Sequence, residues 1–313
     1  MRVCVVVVNY NGGEMIMRCV ESVMRQNYTD ASIIVIDNGS TDDSIQRLRE
    51  NYPRLRIVEA SRNIGFARAN NIAFRLYRGK VDFFALLNPD AYAEPGWLAA
   101  LMEAAAEHPE YAAFGSRSYC GNNMLILDGV GDSYHISGLA WRKAHGSPDS
   151  ARYNYEGDIF SPCAAAALYR SGAIYESGGF DKLFYCYCED VDLGFRMRLL
   201  GYKSLYVPRA VVIHEGSGIS GRRSDFQIYF GHRNIVWTYF KNMPILLLLL
   251  SLPLHLGINL FTIFMYILRG KARVILTAKY DAVLGLHDIM KNRHKIQAKR
   301  KVDIVSLLRM FSW

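Results

Sequence analysis

Apolar runs and polar turns alternate in a regular rhythm along the first ninety positions. Residues 3–8 are a continuous β-branched run, which predicts a strand buried on both faces. The turn Asn9-Tyr10-Asn11-Gly12-Gly13 follows, then a helical pattern to about Gln26. Residues 33–36 predict a second strand, ending in Asp37-Asn38-Gly39-Ser40. Thr41-Asp42-Asp43 predicts an N-cap with an acidic first turn, opening a helix to Asn51. Residues 55–58 predict a third strand, 64–78 a helix, and 81–87 a fourth strand that ends in Asn88-Pro89-Asp90. This βαβαβαβ alternation predicts an α/β fold, with a mostly parallel central sheet flanked by helices. Ligands of such sheets sit beyond the carboxyl ends of the strands, where Asn9, Asp37 and Asp90 fall.

The later pattern is less regular. Residues 97–107 predict a helix, and the Gly-, Asn-, Ser- and Tyr-rich stretch 117–160 predicts a strand or two and a mobile loop. A strand at 163–169, a short helix at 171–177, an amphipathic helix at 189–201 and two short strands at 204–207 and 210–213 complete the body. Residues 245–268 carry no charge and are long enough to cross a bilayer. Pro253 sits inside that run, with His255 and Asn259 behind it. The proline predicts two short apolar helices in the membrane interface, ahead of a kinked spanning helix or a buried core pair. The pattern divides the chain into an α/β body, 1–240, and a helical membrane-associating segment, 241–313.

Charge sharpens this division. The formal net charge of +8 resides in residues 269–313, while residues 1–244 carry 26 basic and 26 acidic side chains. A neutral body has no electrostatic footprint for nucleic acid. The basic tail beside the apolar run suits anionic lipid and a cytoplasmic location. Six cysteines follow no signal-like segment, so no disulfide framework is expected.

Three carboxylate groups are candidates for chemistry. Asp37 can accept hydrogen bonds from a base or ribose, or can simply shape its turn. Asp90 can hold a divalent cation against a diphosphate. In Glu189-Asp190-Val191-Asp192, acids two apart on a helix diverge by about 200°, so Asp190 and Asp192 have different tasks. One faces the cleft, and the other caps the helix or pairs with Arg196. The aromatic approach, residues 180–187, would desolvate a base there. His214 ends an apolar strand and is a candidate ligand. Arg222-Arg223 and Arg233 can meet a diphosphate, a lipid head group or solvent.

Taken together, Val7-Val8-Asn9-Tyr10-Asn11-Gly12, Asp37-Asn38-Gly39-Ser40-Thr41-Asp42, Asn63-Ile64-Gly65-Phe66-Ala67-Arg68, Leu87-Asn88-Pro89-Asp90, the Gly178–Leu193 stretch and His214 resemble family 2 glycosyltransferases of the GT-A fold. The likeness is strongest to their rhamnosyltransferase-like branch. The resemblance implies that Asn9, Tyr10, Asp37, Asn63, Arg68 and Asn88 serve the donor nucleotide. It implies that Asp90 and His214 hold Mn²⁺ or Mg²⁺, and that Asp190 is the general base of an inverting transfer. Asn88 stands where many members carry an acid, as is common in that branch. Trp141 and His145 would lie on the acceptor side. The implied partners are a nucleoside diphosphate sugar, best dTDP-rhamnose, a lipid-linked saccharide acceptor, and membrane lipid through residues 245–301 at the cytoplasmic face. A UDP-hexose or UDP-N-acetylhexosamine transferase and a non-catalytic nucleotide-binding scaffold are the alternatives. The phosphate loop of a nucleotidyltransferase and the G-x-G-x-x-G of a dinucleotide oxidoreductase are absent after strand one.

Overall fold

The computed structural model describes residues 1–121, 123–216 and 224–313; Arg222-Arg223 lie outside them. The first half follows the predicted alternation: β1 (Val3–Asn9), α1 (Gly13–Met24), β2 (Ala31–Asp37), α2 (Ser44–Asn51), β3 (Arg56–Glu59), α3 (Phe66–Leu76) and β4 (Phe83–Leu87). Then come β5 (Ala91–Ala93), α4 (Trp97–Glu107), β6 (Tyr111–Cys120), β7 (Asn123–Gly129), β8 (Asp132–Tyr134), β9 (Ala140–Arg142), β10 (Gly157–Ile159), β11 (Ala166–Arg170), α5 (Ser171–Ser177), α6 (Glu189–Leu199) and β12 (Lys203–His214). Five helices close the chain: α7 (Asp225–Asn242), α8 (Ile245–Leu268), α9 (Ala272–Leu284), α10 (Leu286–Ala298) and α11 (Ile304–Leu308).

The main sheet has the order β10-β12-β6-β11-β4-β1-β2-β3, with β5 on β12 and β7 on β6. β3, β2, β1 and β4 pair in parallel. β11 runs antiparallel to both β4 and β6, and β12 is parallel to β6. β6 and β12 therefore deliver their carboxyl ends to the same edge as β1, β2 and β4. The unbroken apolar run of β1 is explained by its two faces. Val3, Val5 and Val7 pack with Ile16, Trp97 and Leu101, while Cys4, Val6 and Val8 pack with Phe74, Ile174 and Leu193.

Several local expectations are corrected. Among its described residues, the stretch 117–160 holds the end of β6 and four further strands, β7 to β10, where a strand or two and a loop were expected. Its turn residues close short hairpins, and Asp149 clamps Arg117 and the Tyr119 hydroxyl. α2 begins at Ser44 rather than at Thr41, because Asp42 is drawn away to the Ser44 hydroxyl and the Gly13 N–H. Residues 203–214 form one strand with a register break between Val207 and Val211, where Pro208 cannot donate to the ladder. α6 is not amphipathic, since every residue from Val191 to Leu199 is buried. The apolar run forms one helix, α8, that continues through Pro253. The carbonyl freed by the proline belongs to Leu249, which is exposed and can meet solvent.

Candidate active site

The site is assembled at the carboxyl edge of the sheet. Register places Asn9 opposite Asp37, and His214 opposite Ala91, the residue after Asp90. The Asn88 N–H donates to the Ala165 carbonyl (2.8 Å), which ties the tip of β4 to the entry of β11. One residue earlier, the Ala164 N–H donates to Asp190 Oδ2 (3.0 Å). The same edge thus carries Asp37 at the end of β2, Asp90 just beyond β4 and His214 at the end of β12, and Asp190, in the first turn of α6, reaches it through Ala164.

On the β1–β2 side, the Asn9 amide donates to Asp37 (3.1 Å), Ser40 (3.1 Å) and Ser44 (2.9 Å). Asp37 is buried and also accepts from the Ser40 N–H (3.1 Å). Gly39 has φ +79°, and a Cβ there would lie 2.5 Å from the Arg62 backbone, so only glycine fits. Asn63 Oδ1 accepts from the Asn38 amide (2.9 Å), the Gly65 N–H (3.0 Å) and the Tyr185 hydroxyl (2.9 Å). Tyr10 is half-buried at the first turn. Arg68 is exposed in the first turn of α3 and has no ion-pair partner among the described residues.

On the β4–β12 side, His214 Nε2 lies 3.3 Å from Asp90 Oδ1, and His214 Nδ1 lies 2.9 Å from Asp128 Oδ2. All three are buried. Burial opposes a charge on His214, but its bonds to Asp128 and Asp90 outweigh that and lift it to about 9. Arg142 donates to Asp128 Oδ2 (2.5 Å), contacts Cys163, and lies 4.0 Å from Asp132. Burial also opposes the charge on Asp128, yet Arg142, His145 and His214 hold it well below the usual carboxylate range. Burial and the neighbouring Asp190 push Asp132 up to about 8.

A divalent ion fits the Asp90–His214 pair if it takes the place of the Nε2 proton, which leaves His214 neutral with Nδ1–H on Asp128. Carboxylate oxygen and imidazole nitrogen suit Mn²⁺ or Mg²⁺, and the adjacent Asn88 Oδ1 is a buried acceptor with no partner. A second donor set, Cys120, Asp128 and His145, also gathers within 4.8 Å. Its Asp128 is already engaged by Arg142 and His214, and its thiol is a softer ligand.

Asp190 and Asp192 diverge as expected. Asp192 is fully buried and pairs with Arg196 (2.8 Å) and Lys241 (2.8 Å), while accepting from the Asn242 amide (2.8 Å). Asp190 is half-buried and turned toward Ala164. Glu189 is buried with Oε2 unpartnered, and burial with the nearby Asp190 raises its carboxyl well above the usual range. The approach to α6 is strained: Tyr185, Tyr187 and Cys188 all have positive φ. The Asn234 amide of α7 pins it by donating to the carbonyls of Phe184 (2.8 Å), Cys186 (2.9 Å) and Tyr187 (2.7 Å). Arg233, read above as a ligand of diphosphate, lipid or solvent, is buried against Trp237 and donates to Leu183 and Phe184.

Asp128, Asp132 and Arg142 escaped the sequence reading. Their signal is the acidic pair in Asp128-Gly129-Val130-Gly131-Asp132, which loop-like composition disguises. Trp141 is exposed, and His145 Nδ1 lies 2.9 Å from the Asp128 carbonyl.

Comparison with known proteins gives this edge a family. The fold is similar to the mannosyltransferase PcManGT from Pyrobaculum calidifontis in complex with GDP-Man and Mn²⁺ (TM-score 0.55, 17% identity, 99% of this chain and 86% of that one). It is also similar to GalNAc-T7 with UDP, GalNAc and Mn²⁺ (TM-score 0.60, 17% identity, 77% of this chain and 48% of that one). These likenesses establish a GT-A fold. In sequence, the chain is 28% identical over 255 residues to an N-acetylglucosaminyl-diphospho-decaprenol L-rhamnosyltransferase of Mycobacterium tuberculosis (strain ATCC 25618 / H37Rv). That match covers 74% of this chain and 81% of the relative. A chondroitin synthase of Escherichia coli is 42% identical over 89 residues, 26% of this chain and 13% of that protein. Residues 4–176 match the family described as Glycosyl transferase family 2, and since that match spans more than half of the chain, the protein belongs to this family.

Proposed function

We propose that the chain is an inverting, metal-assisted glycosyltransferase that moves rhamnose from dTDP-rhamnose to a hydroxyl of a lipid-linked saccharide in cell-surface polysaccharide synthesis. The observation that carries the reading is the shared carboxyl edge, with Asp37 at the end of β2, the Asp90–His214 pair beyond β4 and at the end of β12, and Asp190 bonded to Ala164 at the entry to β11. The mycobacterial rhamnosyltransferase supports the choice of sugar and of a lipid diphosphate acceptor.

Asn9, Tyr10, Asp37, Asn63 and Arg68 bind the base, ribose and diphosphate. Asp90 and His214, with Asn88 beside them, hold the divalent ion, which when bound offsets charge on the departing nucleoside diphosphate. Asp128 fixes His214 with Nε2 toward Asp90, as partners of metal-bound histidines do. Asp190 takes the proton of the acceptor hydroxyl as that oxygen attacks the anomeric carbon. The Ala164 and Val191 N–H groups fix its carboxylate in place. One base and no enzyme nucleophile give a single displacement with inversion.

The membrane reading rests on α8 and α9. Leu250, Leu254, Leu260 and Phe261 of α8 are exposed, as are Tyr280 and Val283 of α9. α8 is long and apolar enough to cross a bilayer, with 22% of its most apolar window buried. Yet α7 and α9 accompany it along its length, through the Tyr239–His255 stack, the His232–Tyr266 contact and the Lys279–Asn259 bond. A helix so flanked lies on the cytoplasmic leaflet with its outer face in lipid.

Thermal-shift screening of dTDP, UDP and GDP sugars with Mn²⁺, followed by transfer assays, tests the donor. dTDP-rhamnose is expected to stabilise most, and preferential stabilisation by a UDP-hexose would replace rhamnose with that sugar. Asp190→Asn is expected to keep the donor-induced shift and lose about 10²–10⁴-fold in transfer rate. Turnover near the wild-type rate would remove Asp190 from the role of base.

A further inference from the structure

A cavity of about 440 Å³ lies away from the strand tips, between the Gly178-Gly179 turn after α5 and one face of α10. None of Asn9, Asp37, Asp90, Asp190 or His214 lines it. Its size is that of a small-ligand pocket.

The wall facing α10 is rigid. The Asn71 side chain bonds both backbone groups of Phe180, at 2.7 and 3.0 Å. A Cβ on Gly179 would stand 2.6 Å from Asn71 Oδ1, so the turn can pack there only as glycine. The opposite wall is α10, which contributes Asn292 and Lys295, with Lys299 just beyond its end.

The charges of the lining do not cancel. Two carboxylates face the space, Asp181 and Glu176, and both are engaged by other groups. Asp181 accepts from Lys241 (2.7 Å) and Asn292 (3.3 Å), and Glu176 pairs with Lys301 (2.8 Å). Arg196, also in the lining, is committed to Asp192. Lys182, Lys295 and Lys299 remain, with no ion pair among the described residues. All three are exposed and line the same concavity, and its walls focus a positive field into that space. An anion is drawn into that field, and ammonium groups are effective point charges for phosphate.

We propose that this cavity is a second ligand site, separate from the nucleotide-sugar edge, that binds a phosphate or diphosphate group. The group can arrive free or on a lipid head, since α10 belongs to the same helical layer as α8. The site does not depend on the glycosyl-transfer reading.

The test uses the full chain in detergent. Inorganic pyrophosphate is titrated calorimetrically with EDTA present, so that metal-dependent binding at Asp90 and His214 is silent. Flotation is measured in parallel with phosphatidylcholine vesicles, with and without phosphatidic acid. The variants are Lys182→Gln/Lys295→Gln/Lys299→Gln and a charge-matched control, Lys291→Gln/Arg300→Gln/Arg309→Gln. The cavity lysines make no ion pair among the described residues, and Lys299 adds only a longer-range attraction to the exposed Glu176–Lys301 pair, so thermal melting is expected to stay close to wild type.

Pyrophosphate binding that weakens at least about tenfold in the cavity variant alone supports a site for free phosphate. Phosphatidic acid-dependent flotation lost in the cavity variant alone supports a head-group site. Binding in neither arm, or equal losses in both variants, overturns the proposal. Asp37→Asn should leave the pyrophosphate event unchanged, which separates its failure from failure of the donor site.

Discussion

Asp132 shows how one side chain records its surroundings. Its carboxyl ionises near 3.8 in the unfolded chain and near 8 when buried beside Asp190. The folded state holds that proton more tightly, so this contribution to stability is full below 3.8 and drains away as pH rises toward 8. Asp132→Asn cannot ionise. Its melting temperature relative to wild type is expected to rise across that window and level off above it. A difference independent of pH would mean that the carboxyl titrates normally. The residues themselves were unevenly legible in the chain. The split between Asp190 and Asp192 follows from helical angle alone, and the Asp192–Arg196 pair agrees with it. Asp128 was hidden because its partner His214 stands 86 positions away and only sheet closure brings them together, and Arg142 was hidden with it because its role is to bond Asp128. Arg233 misled for the complementary reason: a charged residue near a polar stretch reads as surface until the carbonyls it serves are known.

At the scale of elements, α6 is held less by propensity than by its ion network. Asp192 is fully buried and bridges Arg196 and Lys241, and Lys241 reaches on to Asp181. Asp192→Ala leaves Arg196 in the interior without a carboxylate, while Lys241 keeps Asp181, and is expected to cost about 3–5 kcal/mol in chemical denaturation. Arg196→Met in that background should recover part of the loss, because it removes the stranded charge. Additive losses would show that the two groups are not coupled. The strands and helices of the first half were readable because β1, β2 and β4 are buried on both faces and bounded by turn residues. α6 and residues 117–160 were misread for one physical reason. Local pattern reports composition, whereas their burial is decided by distant segments, α7 over α6 and Asp149 over β6.

At the scale of the whole molecule, the outer face of α8 and α9 is the large apolar surface left uncovered. The triple change Leu250→Glu/Phe261→Glu/Val283→Glu replaces exposed side chains worth about 2 kcal/mol each on transfer to lipid, so vesicle flotation should fall by well over tenfold. Unchanged flotation would mean that lipid meets another face. The 24-residue apolar run announced this surface, but its single-helix form depended on the support of α7 and α9.

The C-terminal helices α7, α8, α10 and α11 also close the body from beneath. Tyr239, Met243, Leu247, Leu307 and Phe311 share one apolar cluster with Tyr134, Phe160 and Phe195, and Arg293 donates to the carbonyls of Phe240 and Met243. Trimming the chain at residue 240 to gain a soluble fragment would lift off this floor and leave those rings in water. Replacing the exposed apolar side chains of α8 is the gentler route to a protein that stays in solution and stays whole.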